Sequence, residues 1–421
     1  MILTQNQAAV VGGGVAGFAA ALTLLRAGTK VTLFEAARWP GGRVGSPNPN
    51  ADCGRHVLIE GYEATRELLG EAAWNAGFDR RPLHMALLDQ APPLHLREAP
   101  LPPPLSLAGF LPPLLRLIGF AGLGRLAAAR HLTGPTAPPS GWTAARWFEH
   151  LKLPNALVDR LLAPLVRATC NLQPGEVDAG LVHTVFRESF GRGVAARICV
   201  PKGVLPQVLV APLLEEFHTR GGVLRLGAPI KEVERAERGW RLDGTEFAKV
   251  ALAIPPHRVA RWFPEAIPDS WRAPSHRPIV TVVFAALAPS PAPIALMPGH
   301  PLEWLIDQRR FSGKNEIEAV VSGDPAWAGG DLKALAQRWG EDLKRRYPGI
   351  LGQIVRIEAV RQATVDLTPE RVTTRPKPGL LQPGLVLAGD WCNTGLPATI
   401  ESAVRSGVSA SRVLLAEERP G

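Results

Sequence analysis

The pattern of apolar and polar positions predicts buried strands that alternate with helices at both ends of the 421-residue chain. Residues 8–11 form a short apolar run, residues 18–26 are typical of a helix, and residues 30–35 form a second strand. Near the other end, residues 385–388 repeat the apolar run, and apolar side chains recur at helical spacing over residues 400–408. Strands that alternate with helices indicate an α/β fold.

The middle of the chain predicts further elements, with helices over 63–76 and 204–219 and a strand over 229–234. Asp243-Gly244 is a hairpin turn signal. The later part predicts strands and one helix, in the order 278–287, 303–307, 316–322, helix 331–346 and 353–362.

Glycines occupy the turn between the first strand and the first helix. Gly12, Gly14 and Gly17 form the G-x-G-x-x-G pattern of dinucleotide-binding proteins, in the strand, turn and helix context that the pattern requires. Gly12 permits a sharp turn, Gly14 has no Cβ to block a pyrophosphate, and Gly17 lets the helix pack closely. The amides that open the helix, together with its dipole, favour the phosphate charge. A glycine-rich turn without a ligand is the alternative.

The residues after the second strand indicate which dinucleotide binds. Glu35 lies 18 positions after Gly17, where an acid can accept hydrogen bonds from a ribose hydroxyl and disfavours a 2′-phosphate. Gly41-Gly42-Arg43 resembles the extension found in flavoproteins of the amine oxidase and phytoene desaturase type, in which these residues follow the FAD pyrophosphate. Two glycines permit close backbone approach, and an arginine offers several donors to phosphate oxygens. We therefore expect FAD.

Residues 52–56 (Asp-Cys-Gly-Arg-His) resemble the Asp-Asn-Gly-Gln-His stretch of hydroxysqualene dehydroxylases, also called squalene-associated FAD-dependent desaturases. Cys53 stands where that family has Asn, and Arg55 where it has Gln. The family places this segment beside the isoalloxazine, which implies that Gly54, Arg55 and His56 contact the flavin. His56 is the candidate general acid, and the charge of Arg55 would favour a reduced, anionic flavin. The alternative for His56 is a strand histidine that anchors the loop.

Proline pairs punctuate short apolar blocks over residues 91–140. These blocks are too short and interrupted to span a bilayer, but they suit interfacial helices or a hydrophobic lid. In the resembled family this region belongs to the substrate cap. A buried helical subdomain is the alternative.

The C-terminal part supplies a second motif. Asp390 ends an apolar strand and can hold a ribityl hydroxyl, and the helix that begins after Pro397 directs amides and a positive dipole toward the flavin pyrimidine. Residues 395–403 closely resemble the Gly-Leu-Pro-Ala-Thr-Ile-Glu-x-Ala sequence of the dehydroxylases.

The resemblance implies an amine oxidase-like α/β architecture with a discontinuous Rossmann-type FAD-binding domain and an α+β substrate domain with a helical cap. We expect the FAD domain to comprise residues 1–62, 200–258 and 380–421, and the substrate domain to comprise residues 63–199 and 259–379. The resemblance also places Ile230 beside the adenine. The expected FAD contacts are Gly12, Gly14, Val15, Ala16, Gly17, Glu35, Ala36, Gly41, Gly42, Arg43, Gly54, Arg55, His56, Ile230, Gly389, Asp390, Pro397, Ala398, Thr399, Ile400 and Ala403.

Composition excludes some function classes. Four scattered cysteines suggest neither a disulfide framework nor a metal site, and we expect a cytoplasmic protein without a secretory signal. The net charge of +9 is typical of a protein that binds nucleic acid or anionic lipid, and also of a protein from an arginine-rich proteome. The basic residues are dispersed and no nucleic-acid motif accompanies them, so nucleic acid is excluded and an anionic membrane surface stays open.

The resemblance implies an FAD-dependent oxidoreductase that reduces hydroxysqualene, a hydrophobic isoprenoid, to squalene for hopanoid synthesis. No second glycine fingerprint is present for a nicotinamide, so NADPH would share the flavin pocket, or another reductase would supply the electrons. Neighbouring enzymes of the squalene pathway are candidate protein partners. Two alternatives stay open: a carotenoid desaturase or amine oxidase, and a non-catalytic isoprenoid-binding flavoprotein.

Overall fold

A computed structural model describes residues 7–48, 57–102, 105–191, 197–273, 275–323 and 331–417. The strands within these ranges are β1 (Gln7–Val11), β2 (Lys30–Glu35), β3 (Leu58–Ile59), β4 (Phe78–Pro82), β5 (His84–Leu87), β6 (Leu94–Arg97), β7 (Arg197–Pro201), β8 (Val223–Leu226), β9 (Val233–Ala236), β10 (Gly239–Leu242), β11 (Thr245–Phe247), β12 (Lys249–Leu252), β13 (His276–Ala286), β14 (Ile294–Leu296), β15 (Trp304–Asp307), β16 (Glu316–Ser322), β17 (Leu351–Val365), β18 (Gly379–Gln382) and β19 (Leu385–Leu387).

The helices of the described ranges are mostly short, and 3₁₀ or π turns extend several of them. They are α1 (Val15–Arg26), α2 (Glu63–Leu69), α3 (Glu71–Gly77), α4 (Leu111–Leu126), α5 (Ala144–His150), α6 (Asn155–Leu157), α7 (Ala163–Cys170), α8 (Ala179–Phe186), α9 (Ala211–Thr219), α10 (Pro256–Val259), α11 (Asp269–Arg272), α12 (Leu332–Arg346), α13 (Pro369–Thr373) and α14 (Ile400–Ala416).

A six-stranded sheet of order β18-β19-β12-β1-β2-β8 draws its strands from distant parts of the chain. All of its pairings are parallel except that of β18 with β19. Along β1, Ala8 and Val10 belong to the core under helices α1, α9 and α14, while Ala9 and Val11 belong to the core on the other face. Burial on both faces explains why the strand is continuously apolar.

Helices α1 and α14 pack against each other over this sheet. A Cβ on Gly407 would lie 2.2 Å from the Ala16 carbonyl oxygen, so glycine lets the two backbones approach closely. The Ser411 hydroxyl donates to the Ala20 carbonyl at 3.0 Å. These contacts join the first and last helices of the described chain into one layer.

The second large sheet has seven strands in the order β17-β13-β16-β15-β14-β5-β6. One face packs on α12 around Phe284, Val282 and Leu343. Two three-stranded sheets, β11-β10-β9 and β3-β7-β4, complete the described β-structure. The α/β fold predicted from the sequence is confirmed, with mixed sheets in both large layers.

Three predicted elements differ from the structure. The helix predicted over 63–76 is two helices, because Gly70 between them has a φ of 79° and breaks the hydrogen-bonding pattern. The helix predicted over 204–219 begins as a π turn over residues 206–210 and becomes α-helical only from Ala211. The strand predicted over 229–234 begins only at Val233, so Ile230 lies in a coil.

The helical part of the proline-rich region, from Leu105 onward, is bent. Gly119 has a φ of 67° inside α4 and kinks the helix. Within the described residues, no single helix has the length and apolar composition needed to cross a bilayer. One pair of helical segments satisfies both criteria when the two are counted together, namely Leu105–Phe120 and Gly124–Leu132, which are bent by 120° relative to each other.

Candidate active site

The turn between β1 and α1 depends on glycine at two positions. Gly12 has a φ of 106°, and a Cβ there would lie 2.3 Å from the Ala253 carbonyl oxygen. A Cβ on Gly17 would lie 1.8 Å from the Gly12 carbonyl oxygen, so only glycine lets α1 sit against the turn. At Gly14 the φ is −76°, and the atom nearest a Cβ is the Gly42 Cα at 3.9 Å. Nothing among the described residues requires glycine at 14, which leaves space there for a ligand.

Helix α1 begins without a side-chain cap. Its N-cap residue is Gly14, and its first turn holds no acidic residue. The amides of Val15, Ala16 and Gly17 have no carbonyl partner within the helix, because the helix begins there. Together with the helix dipole, these amides suit an anionic group such as a pyrophosphate.

Glu35 ends β2 and lies against the glycine turn. One carboxylate oxygen accepts a hydrogen bond from the Gly13 amide at 2.6 Å, and the other accepts one from the Ala37 amide at 2.8 Å. Each oxygen keeps a second lone pair. The carboxylate, with Ala36 beside it, is therefore held at the carboxyl edge of the sheet, where an acceptor for ribose hydroxyls is expected.

The segment after β2 closes over the same turn. The Gly41 amide donates to the Gly13 carbonyl at 2.7 Å. Gly41 and Gly42 have φ values of 107° and 58°, in the region that favours glycine. A Cβ on Gly42 would lie 3.1 Å from the Gly14 Cα, so a side chain here would narrow the space above Gly14.

Arg43 joins the N-terminal turn to the C-terminal motif. Its guanidinium forms an ion pair with Asp390 and donates to the Ala363 carbonyl at 3.2 Å. The side chain of Arg43 is about half exposed, whereas that of Asp390 is only 7% exposed. The pair brings together two residues that the sequence assigns to different parts of FAD.

The loop 388–399 leads from β19 into α14. Gly389 has a φ of 147°, and its amide donates to the Ser406 hydroxyl at 2.8 Å. The Thr399 hydroxyl caps α14 by accepting a hydrogen bond from the Ser402 amide at 3.1 Å. The other predicted contacts of this motif lie around that cap and are Pro397, Ala398, Ile400 and Ala403.

Arg375 is a buried part of this site that sequence reasoning missed. Its side chain donates to the carbonyl oxygens of Asp390, Trp391 and Leu396, the last two at 3.0 and 2.7 Å. Burial lowers the pKa of Arg375 to about 10, although the neighbouring Asp390 opposes that shift. The only local signal was an arginine in the Arg-Pro-Lys-Pro run before β18.

Glu401 and Tyr62 form a second missed connection. The Glu401 carboxylate accepts hydrogen bonds from the Ala64 and Thr65 amides, both at 3.0 Å, and so caps α2 from a distance of more than 330 residues. The Tyr62 hydroxyl hydrogen-bonds with the Thr399 side chain. Burial, with the Glu401 carboxylate as a smaller cause, raises the pKa of Tyr62 to about 12.

The contacts above leave out two sets of predicted residues. Gly54, Arg55 and His56 lie outside the described residues, so their placement stays a prediction. Ile230 is described as half-buried, in the coil between β8 and β9, and packs against the larger core. Its contact with adenine also stays a prediction.

The remaining predicted residues meet at one edge of the six-stranded sheet. They offer an uncapped helix N-terminus, the Glu35 carboxylate, the Arg43 guanidinium and glycine turns without Cβ atoms, and the buried Arg375 lies beside Asp390. Among the described residues, this arrangement fits a dinucleotide such as FAD.

The chain matches the family model described as flavin containing amine oxidoreductase over residues 15–415. The chain belongs to this family. Hydroxysqualene dehydroxylase of Rhodopseudomonas palustris is 32% identical, and the match covers 97% of this chain and 98% of that protein. Hydroxysqualene dehydroxylase of Sinorhizobium fredii is 30% identical with the same coverage. The resemblance found in the sequence motifs is confirmed, and the protein is an FAD-dependent oxidoreductase.

Solved structures of other proteins share the fold. An oxidoreductase from Methanosarcina mazei superposes with a TM-score of 0.73, covering 96% of this chain and 99% of that one at 16% identity. Cyclohexylamine oxidase from Brevibacterium oxydans superposes with a TM-score of 0.67, covering 98% and 99% at 17% identity. The amine oxidase-like fold class is confirmed.

Proposed function

We propose that this flavoenzyme reduces hydroxysqualene to squalene. The observation that carries the proposal is the end-to-end relationship with hydroxysqualene dehydroxylases, 32% identical over 97% of this chain. More distant relatives include the carotenoid phi-ring synthase of Streptomyces griseus, at 26% identity. The non-catalytic alternative has no specific support.

The reaction needs a proton and a hydride. The allylic C–O bond breaks as a proton reaches the departing hydroxyl, which leaves as water, and the resulting cation accepts a hydride at carbon. Bound FAD, when reduced, supplies that hydride and is oxidised by two electrons. An external donor, NADPH or another reductase, must then reduce it again.

The protein would hold the cofactor and exclude water. The first-turn amides of α1 would bind the pyrophosphate, Glu35 the adenosine ribose, and Asp390 a ribityl hydroxyl. The N-terminus of α14 would face the pyrimidine edge, where reduction builds negative charge. We propose His56 as the proton donor and Arg55 as a charge that favours the reduced flavin.

Anaerobic mixing of photoreduced enzyme with hydroxysqualene tests the reaction. We expect the flavin absorbance to return in a single turnover and squalene to form in an amount equal to the enzyme. If the oxidised enzyme instead desaturates phytoene or oxidises an amine, the corresponding alternative would replace this proposal. The non-catalytic alternative would be favoured if hydroxysqualene did not reoxidise the reduced flavin and if neither phytoene nor an amine reduced the oxidised flavin.

We also propose that the enzyme takes its lipid substrate from an anionic membrane surface. The large apolar side chains Leu101, Leu105, Leu111 and Phe120 are exposed, Phe120 to 91%. We call these four residues the apolar surface. Residues 99–148 contain no Asp or Glu, and exposed arginines at 116, 125 and 130 accompany the apolar surface. Apolar side chains among basic ones suit insertion at the headgroup boundary of anionic lipids.

Replacing Phe120 by Asp should weaken sedimentation with vesicles of anionic phospholipid. The substitution removes apolar area that would be buried in the membrane and adds a negative charge that anionic lipid repels. Binding of the unmodified protein should also fall as salt rises. Each basic residue near an anionic membrane contributes about 1 kcal/mol to the free energy of binding, and this attraction falls off within a Debye length, which salt shortens. Leu287→Asp is the control, since Leu287 is 63% exposed at the end of β13 and outside the apolar surface. Equal sedimentation with neutral and anionic vesicles would contradict the proposal.

A further inference from the structure

The guanidinium of Arg375 ties together both ends of the loop that leads into α14. Arg375 itself lies between α13 and β18 and is only 4% exposed. It donates to the Asp390 and Trp391 carbonyls at the start of the loop and to the Leu396 carbonyl near its end. Three carbonyls from one loop, bound by one planar group, restrict the path of that loop before the cap of α14.

Other bonds hold the same loop, and two of them involve no charged group. The Thr394 and Ser402 hydroxyls lie 2.6 Å apart, and the Asn393 amide donates to the Pro376 carbonyl at 2.7 Å. A methionine at 375 would therefore leave part of this network in place and remove the charge.

The charges around the loop do not cancel. Arg375 and Arg43 both lie near Asp390, and Arg43 already forms an ion pair with its carboxylate. Arg375 contacts only carbonyl oxygens among the described residues, so these three groups together carry one positive charge in excess. A buried cation is costly unless other groups compensate it. A bound anion at this edge of the sheet would supply that compensation.

We propose that Arg375 is a positioning residue for the flavin, which fixes the 390–396 loop for cofactor binding and whose excess charge favours the reduced, anionic form of the cofactor. This inference rests on flavin binding and not on the proposed dehydroxylation of hydroxysqualene. Its measurements need no substrate, so they succeed or fail independently of that reaction.

The test compares two variants of the full-length protein by FAD titration of apoprotein and by the midpoint potential of the holoenzyme. Arg375→Met removes the charge and the three bonds, and we expect FAD to bind at least tenfold more weakly and the potential to fall. A tenfold larger loss of affinity for the reduced than for the oxidised form corresponds to about 30 mV for this two-electron couple. Arg375→Lys keeps the charge but not the planar group that donates three hydrogen bonds to the loop. We expect weaker FAD binding at a nearly unchanged midpoint potential.

Arg412→Met is the matched control, because Arg412 is exposed on α14 and its loss changes the net charge by the same amount. We expect wild-type affinity and potential from it. Wild-type values for both quantities in Arg375→Met would overturn the inference. Circular dichroism of the apoproteins shows whether each variant folds. Should Arg375→Met not fold, a folded Arg375→Lys with wild-type FAD affinity would overturn the positioning role, and one with weakened affinity would support it.

Discussion

Gly14→Val is expected to give a folded, colourless protein. A Cβ at residue 14 meets only the Gly42 Cα at 3.9 Å, and the φ of −76° suits any residue, so the polypeptide tolerates the side chain. The valine would instead occupy the space expected for the FAD pyrophosphate. We expect FAD affinity to fall by about 10³-fold or more, equivalent to about 4 kcal/mol. The ratio of flavin to protein absorbance and the thermal unfolding of the apoprotein measure the two effects separately.

Two other glycines serve as controls for this prediction. Gly17→Ala should destabilise the fold itself, since its Cβ would lie 1.8 Å from the Gly12 carbonyl oxygen. Gly349→Val should change neither property, because no atom lies within 4 Å of a Cβ at that position. A yellow Gly14→Val protein with one FAD per chain would refute the assignment of this turn to the pyrophosphate.

These glycines also show which features a sequence can reveal. The positions of Gly17 and Glu35 follow from contacts within the first strand, turn, helix and second strand, whereas Gly12 also borders Ala253, about 240 residues later. Their spacing therefore carries the geometry, and the structure places them as the spacing predicts. The residues that would hold the cofactor at the N-terminal turn could be named for the same reason.

Elements that depend on distant partners were missed. Strand β5 precedes the proline-rich region and β6 lies at its start, and no strand was predicted for either. They join the seven-stranded sheet because β5 pairs in parallel with β14, about 200 residues later. The break at Gly70 was missed because a helical pattern continues on both sides of it.

The missed site residues have the same explanation. Arg375 binds carbonyl groups, which every residue possesses, so no partner side chain marks its role in the sequence. Glu401 lies within a recognised motif, and besides the nearby Arg405 its partners are the Ala64 and Thr65 amides and the Thr65 hydroxyl, more than 330 residues away. Backbone groups as partners leave no pattern in the residue types, and only the folded chain reveals them.

The connection from α14 to α2 contains a further group that could be considered as the proton donor. Tyr62 hydrogen-bonds with Thr399 at the cap of α14. Tyr62 is a poor acid, because burial and Glu401 raise its pKa to about 12.

His56→Ala should leave FAD bound and reducible but slow the reoxidation of reduced flavin by hydroxysqualene. A positioned general acid contributes about 10²–10⁴-fold, and removing it should cost a factor of that order. Anaerobic stopped-flow absorbance measures the step directly. Tyr62→Phe is the companion variant, and we expect it to have a smaller effect because the Tyr62 phenol already bonds to Thr399. A wild-type rate in His56→Ala would assign His56 to anchoring the loop. The proton would then have to come from water or from a residue of the cap.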